Sequence, residues 1–230
     1  MRIGFIGLGN VGGKLAGSIL RNGHDLVVRD LDRAMAQPFL DQGADWADSP
    51  RAMAESCDMV ITCLPSPAAC AAVMEAEDGL LAGLSEGKIW AEMSTTDATE
   101  VRRMAEKVIA KGAHAIDCPV SGGCHRAATG NISIFAGCSR DTFERALPIL
   151  TTLGRRVLHT GDVGSASLLK VMTSSLETKT PVPDRKLPMR SEFVNGRAKL
   201  RSRRMKINSR SPRLSTASLM HYCLIRASSV

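Results

Sequence analysis

The sequence predicts a doubly wound α/β fold, a parallel sheet with helices on both faces. Three observations carry this. Strand-like and helix-like segments alternate from residue 2 to residue 173. The central strand segments, such as Met59-Val60-Ile61-Thr62-Cys63-Leu64, are almost continuously apolar, the pattern of strands buried on both faces. A glycine triplet, Gly7-x-Gly9-x-x-Gly12, stands between the first strand and the first helix.

The elements follow in order. Residues 2–6 read as a short buried strand, and Lys14 to Arg21 has helical spacing, closed by Asn22-Gly23. Leu26-Val27-Val28 is a second strand ending at Asp30, and a helical stretch over 32–42 stops at Gly43. Ser49-Pro50 pairs an N-cap with a proline at the first helical position. The strand at 59–64 is stopped by Pro65, and Ile89 to Met93 forms the next. Asp97-x-x-Glu100 has the form of a capping box opening a helix over 98–111. Ala113–Asp117 and Asn131–Ala136 are further strands, 140–152 is a helix, and another begins near Ser165.

Composition narrows the function classes. Of 230 residues, 44% are hydrophobic but only 3% aromatic, so the core is aliphatic. No run approaches the roughly 20 apolar residues of a membrane helix. The N-terminus enters a strand without an apolar signal core, which points to the cytosol. Seven cysteines lie scattered with no Cys-x-x-Cys pair, so neither a metal site nor a disulfide framework is expected. Charge divides the chain. Residues 1–173 hold 17 Lys and Arg against 20 Asp and Glu, a net of −3, whereas residues 174–230 hold 13 against 3, a net of +10. The basic segment carries three prolines within 181–188, little periodicity and few apolar residues, a composition expected to be disordered.

The glycine triplet has the flanks of a dinucleotide site. Gly7 permits the tight turn, Gly9 lets a pyrophosphate approach the backbone, and Gly12 lets helix and strand pack closely. With Leu8, Asn10 and Val11 between them, they place a pyrophosphate on the helix N-terminus, where free N–H groups favour negative charge. Asp30 follows 18 positions after Gly12, where a carboxylate accepts the ribose hydroxyls and repels a 2′-phosphate. NAD is therefore the expected cofactor. Arg29 and Arg33 flank Asp30 and are able to pair with a phosphate, so NADP stays open.

Further motifs appear in a fixed order: Cys63-Leu64-Pro65-Ser66, Ser94-Thr95-Thr96, Asp117-Cys118-Pro119-Val120-Ser121-Gly122-Gly123 with Ala127-x-x-Gly130, and Gly161-Asp162-x-Gly164-Ser165-Ala166 leading to Lys170. Together with Gly7-Leu8-Gly9 and Gly23-His24, they resemble the β-hydroxyacid dehydrogenases, the family of 3-hydroxyisobutyrate dehydrogenase and tartronate semialdehyde reductase. The resemblance covers residues 1–173. It implies a Rossmann domain over 1–163, the start of an interdomain helix at 164–173, and hydride transfer between NAD and a small carboxylate-bearing 3-hydroxy acid. Lys170 is by resemblance the catalytic general acid and base. Ser121, Gly122 and Gly123 would hold the substrate carboxylate, while Leu64, Pro65 and Thr95 would line the nicotinamide side.

Nearby residues carry other readings. His24 follows a helix-ending glycine and reads as a packing or capping residue, while His125 is a lesser candidate for substrate contact. Cys118 and Cys124 flank the same loop without a base to activate a thiolate. Ser174 stands one helical turn after Lys170, where the family has an Asn. The all-helical domain that follows in the family, and with it the homo-oligomer contacts, is not recognisable in 174–230. The expectation is a truncated or frame-shifted chain that binds NAD weakly and turns over little. Within the class the alternative is a tartronate semialdehyde (2-hydroxy-3-oxopropionate) reductase. Outside it, the alternative is a non-catalytic protein of the same fold using its basic tail on nucleic acid.

Overall fold

A computed structural model describes residues 1–177, with side chains through Ser174. The expectations for the basic tail, including nucleic-acid binding and lost oligomer contacts, lie beyond the described residues. The chain runs β1 (Ile3–Ile6), α1 (Gly12–Arg21), β2 (Leu26–Arg29), a 3₁₀ turn (Arg33–Ala36), α2 (Gln37–Leu40), β3 (Asp45–Trp46), α3 (Pro50–Ser56) and β4 (Met59–Thr62). It continues through α4 (Pro67–Glu75), α5 (Leu80–Gly83), β5 (Ile89–Glu92), α6 (Ala98–Ile109) and β6 (His114–Asp117). The remainder is β7 (Val120–Ser121), α7 (Gly123–Ala128), β8 (Ile132–Gly137), α8 (Arg140–Leu153), β9 (Gly154–Gly161) and α9 (Ser165–Glu177).

The sheet order is β3-β2-β1-β4-β5-β6-β8-β7, with β9 on β8. All pairings from β3 to β6 are parallel. The chain winds outward from β1 to β2 and β3, then returns to the other side of β1 at β4. The reversal leaves a crevice at the carboxyl ends of β1 and β4, where ligands of such sheets bind. Strand residues alternate between two apolar layers. Ile3, Phe5, Met59, Ile61, Ile89 and Ala91 face one layer, shared with α1 and α8. Ile6, Val60 and Trp90 face the other, with Met53, Met74, Met104 and Val108 from the helices.

The structure corrects several expectations. β8 runs antiparallel to β6 and β7, so the sheet is mostly rather than wholly parallel. The link from β7 to β8 through α7, residues 122–131, is shorter than the dozen or more residues of a parallel crossover. The expected helix over 32–42 splits into the 3₁₀ turn and α2, because Pro38 enters near the start of α2 and has no N–H to continue the earlier turn. Asp97 caps α6 by accepting from the Thr99 and Glu100 N–H groups. The capping box is nevertheless incomplete: the Glu100 carboxylate takes the Arg103 guanidinium instead. β9 has no counterpart among the expected elements, since Arg155 and Arg156 hide its strand character in an exposed, polar run. No helix among the described residues is long and apolar enough to cross a membrane.

Ile61 is fully buried in the central strand β4. Ile61→Ala should cost about 2–5 kcal/mol, read as a lowered urea midpoint followed by Trp fluorescence. A loss below about 1 kcal/mol would show that this layer collapses around the gap.

Candidate dinucleotide and substrate site

The crevice at the ends of β1 and β4 is a cavity of about 780 Å³. Gly7, Gly9, Asn10, Val11 and Gly12 line it from the β1–α1 loop. Asp30 and Leu31 line it from the end of β2, and Leu64, Pro65, Ser94 and Thr95 from the loops after β4 and β5. Gly7 has φ +97°, and a Cβ there would lie 2.3 Å from the Cys63 carbonyl oxygen. A Cβ on Gly12 would lie 1.9 Å from the Gly7 oxygen. Both positions therefore exclude any side chain. A Cβ on Gly9 would meet nothing within 4 Å, so its backbone faces open space, as close approach of a pyrophosphate requires. Leu8 does not line the cavity: its side chain is buried in the core, and its N–H donates to Asp30 Oδ2 at 2.6 Å.

Asp30 also accepts the Asp32 N–H at 3.2 Å. The two flanking arginines are engaged elsewhere. Arg29 donates to the carbonyls of Ala47 and Asp48 and lies over the Trp46 ring. Arg33 lies 5.1 Å from the centre of the same ring. Asp30 has no ion pair among the described residues, so the ribose edge of the cavity presents a carboxylate without a cationic neutraliser.

Glu92, fully buried at the end of β5, organises the opposite wall. It accepts from Thr62 Oγ1 and Cys70 Sγ, each at 2.7 Å, and from the Ser94 N–H at 2.7 Å. Trp90 Nε1 donates to Thr62 Oγ1 at 2.9 Å, and the Leu64 N–H donates to Ser94 Oγ at 2.7 Å. One carboxylate thus holds together the Leu64-Pro65 and Ser94-Thr95 turns. Burial pushes the Glu92 carboxyl up, opposed by the hydrogen bonds from Cys70, Ser94 and Thr62.

Asp117 does the corresponding work at the end of β6. Its carboxylate accepts the Ser167 N–H at 2.8 Å and the Ser167 hydroxyl at 2.6 Å, fixing the first turn of α9. Burial pushes its carboxyl up as well, against the bonds from Ser167. One turn later, Lys170 Nζ donates to Ser121 Oγ at 3.3 Å. Gly122 and Gly123 have φ +134° and +75°, left-handed conformations suited to glycine. Ser121 and Lys170 thus meet each other, and neither they nor Gly122 and Gly123 line the large cavity; Val120, beside Ser121, does.

The remaining candidates fall where packing puts them. His24 Nε2 meets Thr152 Oγ1 at 3.2 Å, a structural contact. His125 lines a separate polar cavity. Burial pushes the Cys63 thiol up to about 12, with the Glu92 charge adding to it, and raises Cys70 and Cys118 as well. None of these three is a ready thiolate. Among the described residues no cluster of His, Cys, Asp or Glu is built to hold a metal ion. Glu92, Leu31 and the Asp117–Ser167 tie escaped sequence reasoning. The available signal was an acidic residue closing an otherwise apolar strand.

Residues 2–161 match the model of the NAD binding domain of 6-phosphogluconate dehydrogenase. The chain is 36% identical over 174 residues to 3-hydroxyisobutyrate dehydrogenase of Pseudomonas aeruginosa, covering 76% of this chain and 58% of that protein. It is 31% identical over 176 residues to 2-(hydroxymethyl)glutarate dehydrogenase of Eubacterium barkeri, with 76% and 58% covered. The chain belongs to the β-hydroxyacid dehydrogenase family. Among solved structures, 3-hydroxyisobutyrate dehydrogenase of Salmonella typhimurium superposes with a TM-score of 0.72 at 28% identity, covering 76% of this chain and 62% of that one. A second, Psf3 in complex with NADP+ and 2-OPP, gives 0.74 at 28% identity over the same shares. The chain thus spans about 58% of the length of these curated relatives.

Because burial raises folded Glu92 above its ordinary 4.5, the folded chain keeps this proton at pH values where the unfolded chain has lost it. Stability from this site is therefore greatest at low pH and declines as pH rises through the folded value. Glu92→Gln, neutral throughout, should remove that decline, so urea midpoints of variant and parent should diverge between about pH 5 and about pH 8. An equal offset at both pH values would mean that Glu92 does not titrate in this range.

Proposed function

We propose that residues 1–173 form the cofactor-binding part of an NAD-dependent dehydrogenase of small 3-hydroxy acids, 3-hydroxyisobutyrate being the leading candidate. The observation that carries this is the Lys170–Ser121 hydrogen bond, one residue from a cavity built on Gly7-x-Gly9-x-x-Gly12. The residues fit the cofactor. The α1 N-terminus and the open face of Gly9 would receive the pyrophosphate, and Asp30 the ribose hydroxyls. The fully exposed Leu31 would cover one face of the adenine. Preference for NAD over NADP is supported by the Asp30 carboxylate, which has no ion pair among the described residues, and by Arg29 and Arg33 being held at Ala47, Asp48 and Trp46.

Bound nicotinamide supplies the hydride acceptor. The chain's own part is positioning and proton transfer. Ser121 and the N–H groups of Gly122 and Gly123 would hold the substrate carboxylate. Lys170 would take the proton from the alcohol oxygen as its carbon becomes a carbonyl, and return it in the reverse direction. Leu64, Pro65 and Thr95 would line the nicotinamide side, held by the Glu92 network. A cytosolic setting belongs to the same reading, supported by six free cysteines among the described residues.

Two experiments test this. In NADH titrations followed by fluorescence, Asp30→Ala should weaken NADH roughly 10- to 100-fold and leave NADPH little changed. Equal losses for both cofactors would remove Asp30 as the ribose ligand. Lys170→Ala should leave the NADH affinity intact and lower any oxidation of 3-hydroxyisobutyrate roughly 10²- to 10⁴-fold. Unchanged turnover would exclude Lys170 as the acid and base. Faster reduction of tartronate semialdehyde than of methylmalonate semialdehyde would favour the alternative substrate. Robust turnover by the 230-residue chain would overturn the low activity expected from its tail.

A further inference from the structure

Most arginines among the described residues have a partner in the folded chain. Arg2, Arg51, Arg103 and Arg140 form ion pairs. Arg21, Arg29, Arg102 and Arg145 donate to backbone carbonyls, and Arg33 lies over Trp46. Arg126, Arg155 and Arg156 have no such partner among the described residues, and all three line one cavity of about 460 Å³. His125 lines it too, and the remaining walls are Thr129, Asn131 and Ser133. No carboxylate and no large apolar side chain is among the lining residues.

Three exposed arginines lining one hollow gather like charge there, and the planar fork of a guanidinium matches the paired oxygens of phosphate or carboxylate groups. The Ser133 hydroxyl and the second N–H of the Asn131 amide add donors, whereas the Thr129 hydroxyl is already given to the His125 and Arg126 carbonyls and accepts from Asn131 Nδ2. The fold builds this hollow from separate elements. Ser133 on β8 stands directly across from Ser121 on β7 and from Arg156 on β9. The Arg126 stem packs over Gly122, where a Cβ would lie 2.8 Å from its Cδ. The hollow shares no lining residue with the dinucleotide cavity.

We propose that this cavity is a second anion-binding site, taking a small molecule with a doubly charged oxyanion, either a phosphate monoester or a pair of carboxylates. The test is amide NMR of the full ¹⁵N-labelled chain at constant ionic strength, titrated with inorganic phosphate, succinate or acetate, with and without NADH. Saturable shifts at Thr129, Asn131 and Ser133 are expected with phosphate, succinate or both, unaffected by NADH, and absent with singly charged acetate. Phosphate alone would name a phosphate monoester and succinate alone a dicarboxylate. Arg126→Ala and Arg156→Gln should each weaken binding roughly tenfold or more. Arg140→Ala, whose guanidinium pairs with Glu144 on the surface, should leave it unchanged. The amide spectra also report whether each variant is folded. The proposal falls if neither dianion shifts these residues, if acetate shifts them equally, or if the shifts lie only at Gly9–Gly12 or in residues 178–230. It also falls if both cavity variants keep the parent affinity.

Discussion

Asp117 ends β6 with its carboxylate occupied by α9, through the N–H and the hydroxyl of Ser167. A carboxylate at that depth demands donors, because burying it unpaired would cost several kcal/mol or force it to hold a proton. The donors come from the first turn of the helix that carries Lys170, so satisfying Asp117 sets where that helix begins and how it is turned. The chain runs on from β6 through Pro119 into β7 and Ser121, and the lysine and its serine partner are thereby referred to one fixed point. Leu168, Val171 and Met172 on α9 are more than half exposed, so this polar tie contributes much of what holds the helix to the sheet.

Glu92 repeats the arrangement one strand away, standing in register beside Asp117 across β5 and β6. Its donors come from β4, α4 and the loop after β5, three segments that border the large cavity. The two carboxylates thus convert the carboxyl edge of the sheet into a rigid rim. Hydrogen bonds in such a site are electrostatically strong, and losing one leaves a buried polar group without a partner. The cost is a strand end that tolerates little change. The gain is that the turns lining the cavity are held by buried, fully engaged groups.

At the rim's centre the chain needs no side chains at all. Gly7 and Gly12 leave no room for a Cβ, and Gly9 leaves its backbone open to the cavity. Asp30 is placed by its own bond to the Leu8 N–H, so the acidic residue and the glycine loop are mutually positioned. Beyond β7 the antiparallel β8 brings in a different surface, basic where the ribose edge is acidic.

Much of this was legible in the residues alone. The apolar runs at Met59–Leu64 and Ile89–Met93, the glycine spacing and Asp30 are local patterns, and local patterns determine which segments become strands, helices and phosphate loops. The meeting of Ser121 with Lys170 was accessible only by resemblance, since 49 positions separate them. The break at Pro38 and the pairing of Glu100 with Arg103 three positions on are local as well, but the sequence could not reveal that β8 turns antiparallel. Nor could it show that Arg126, Arg155 and Arg156 share one hollow, or that Glu92 and Asp117 gather their donors across neighbouring segments. Each of these depends on which strands become neighbours, and that is decided when the two apolar layers close on the sheet. The sequence by itself determined the elements and the chemistry of the loops. The tertiary structure decided which charges are paired, which are buried and which face an open cavity, because those are properties of distances the chain acquires only when folded.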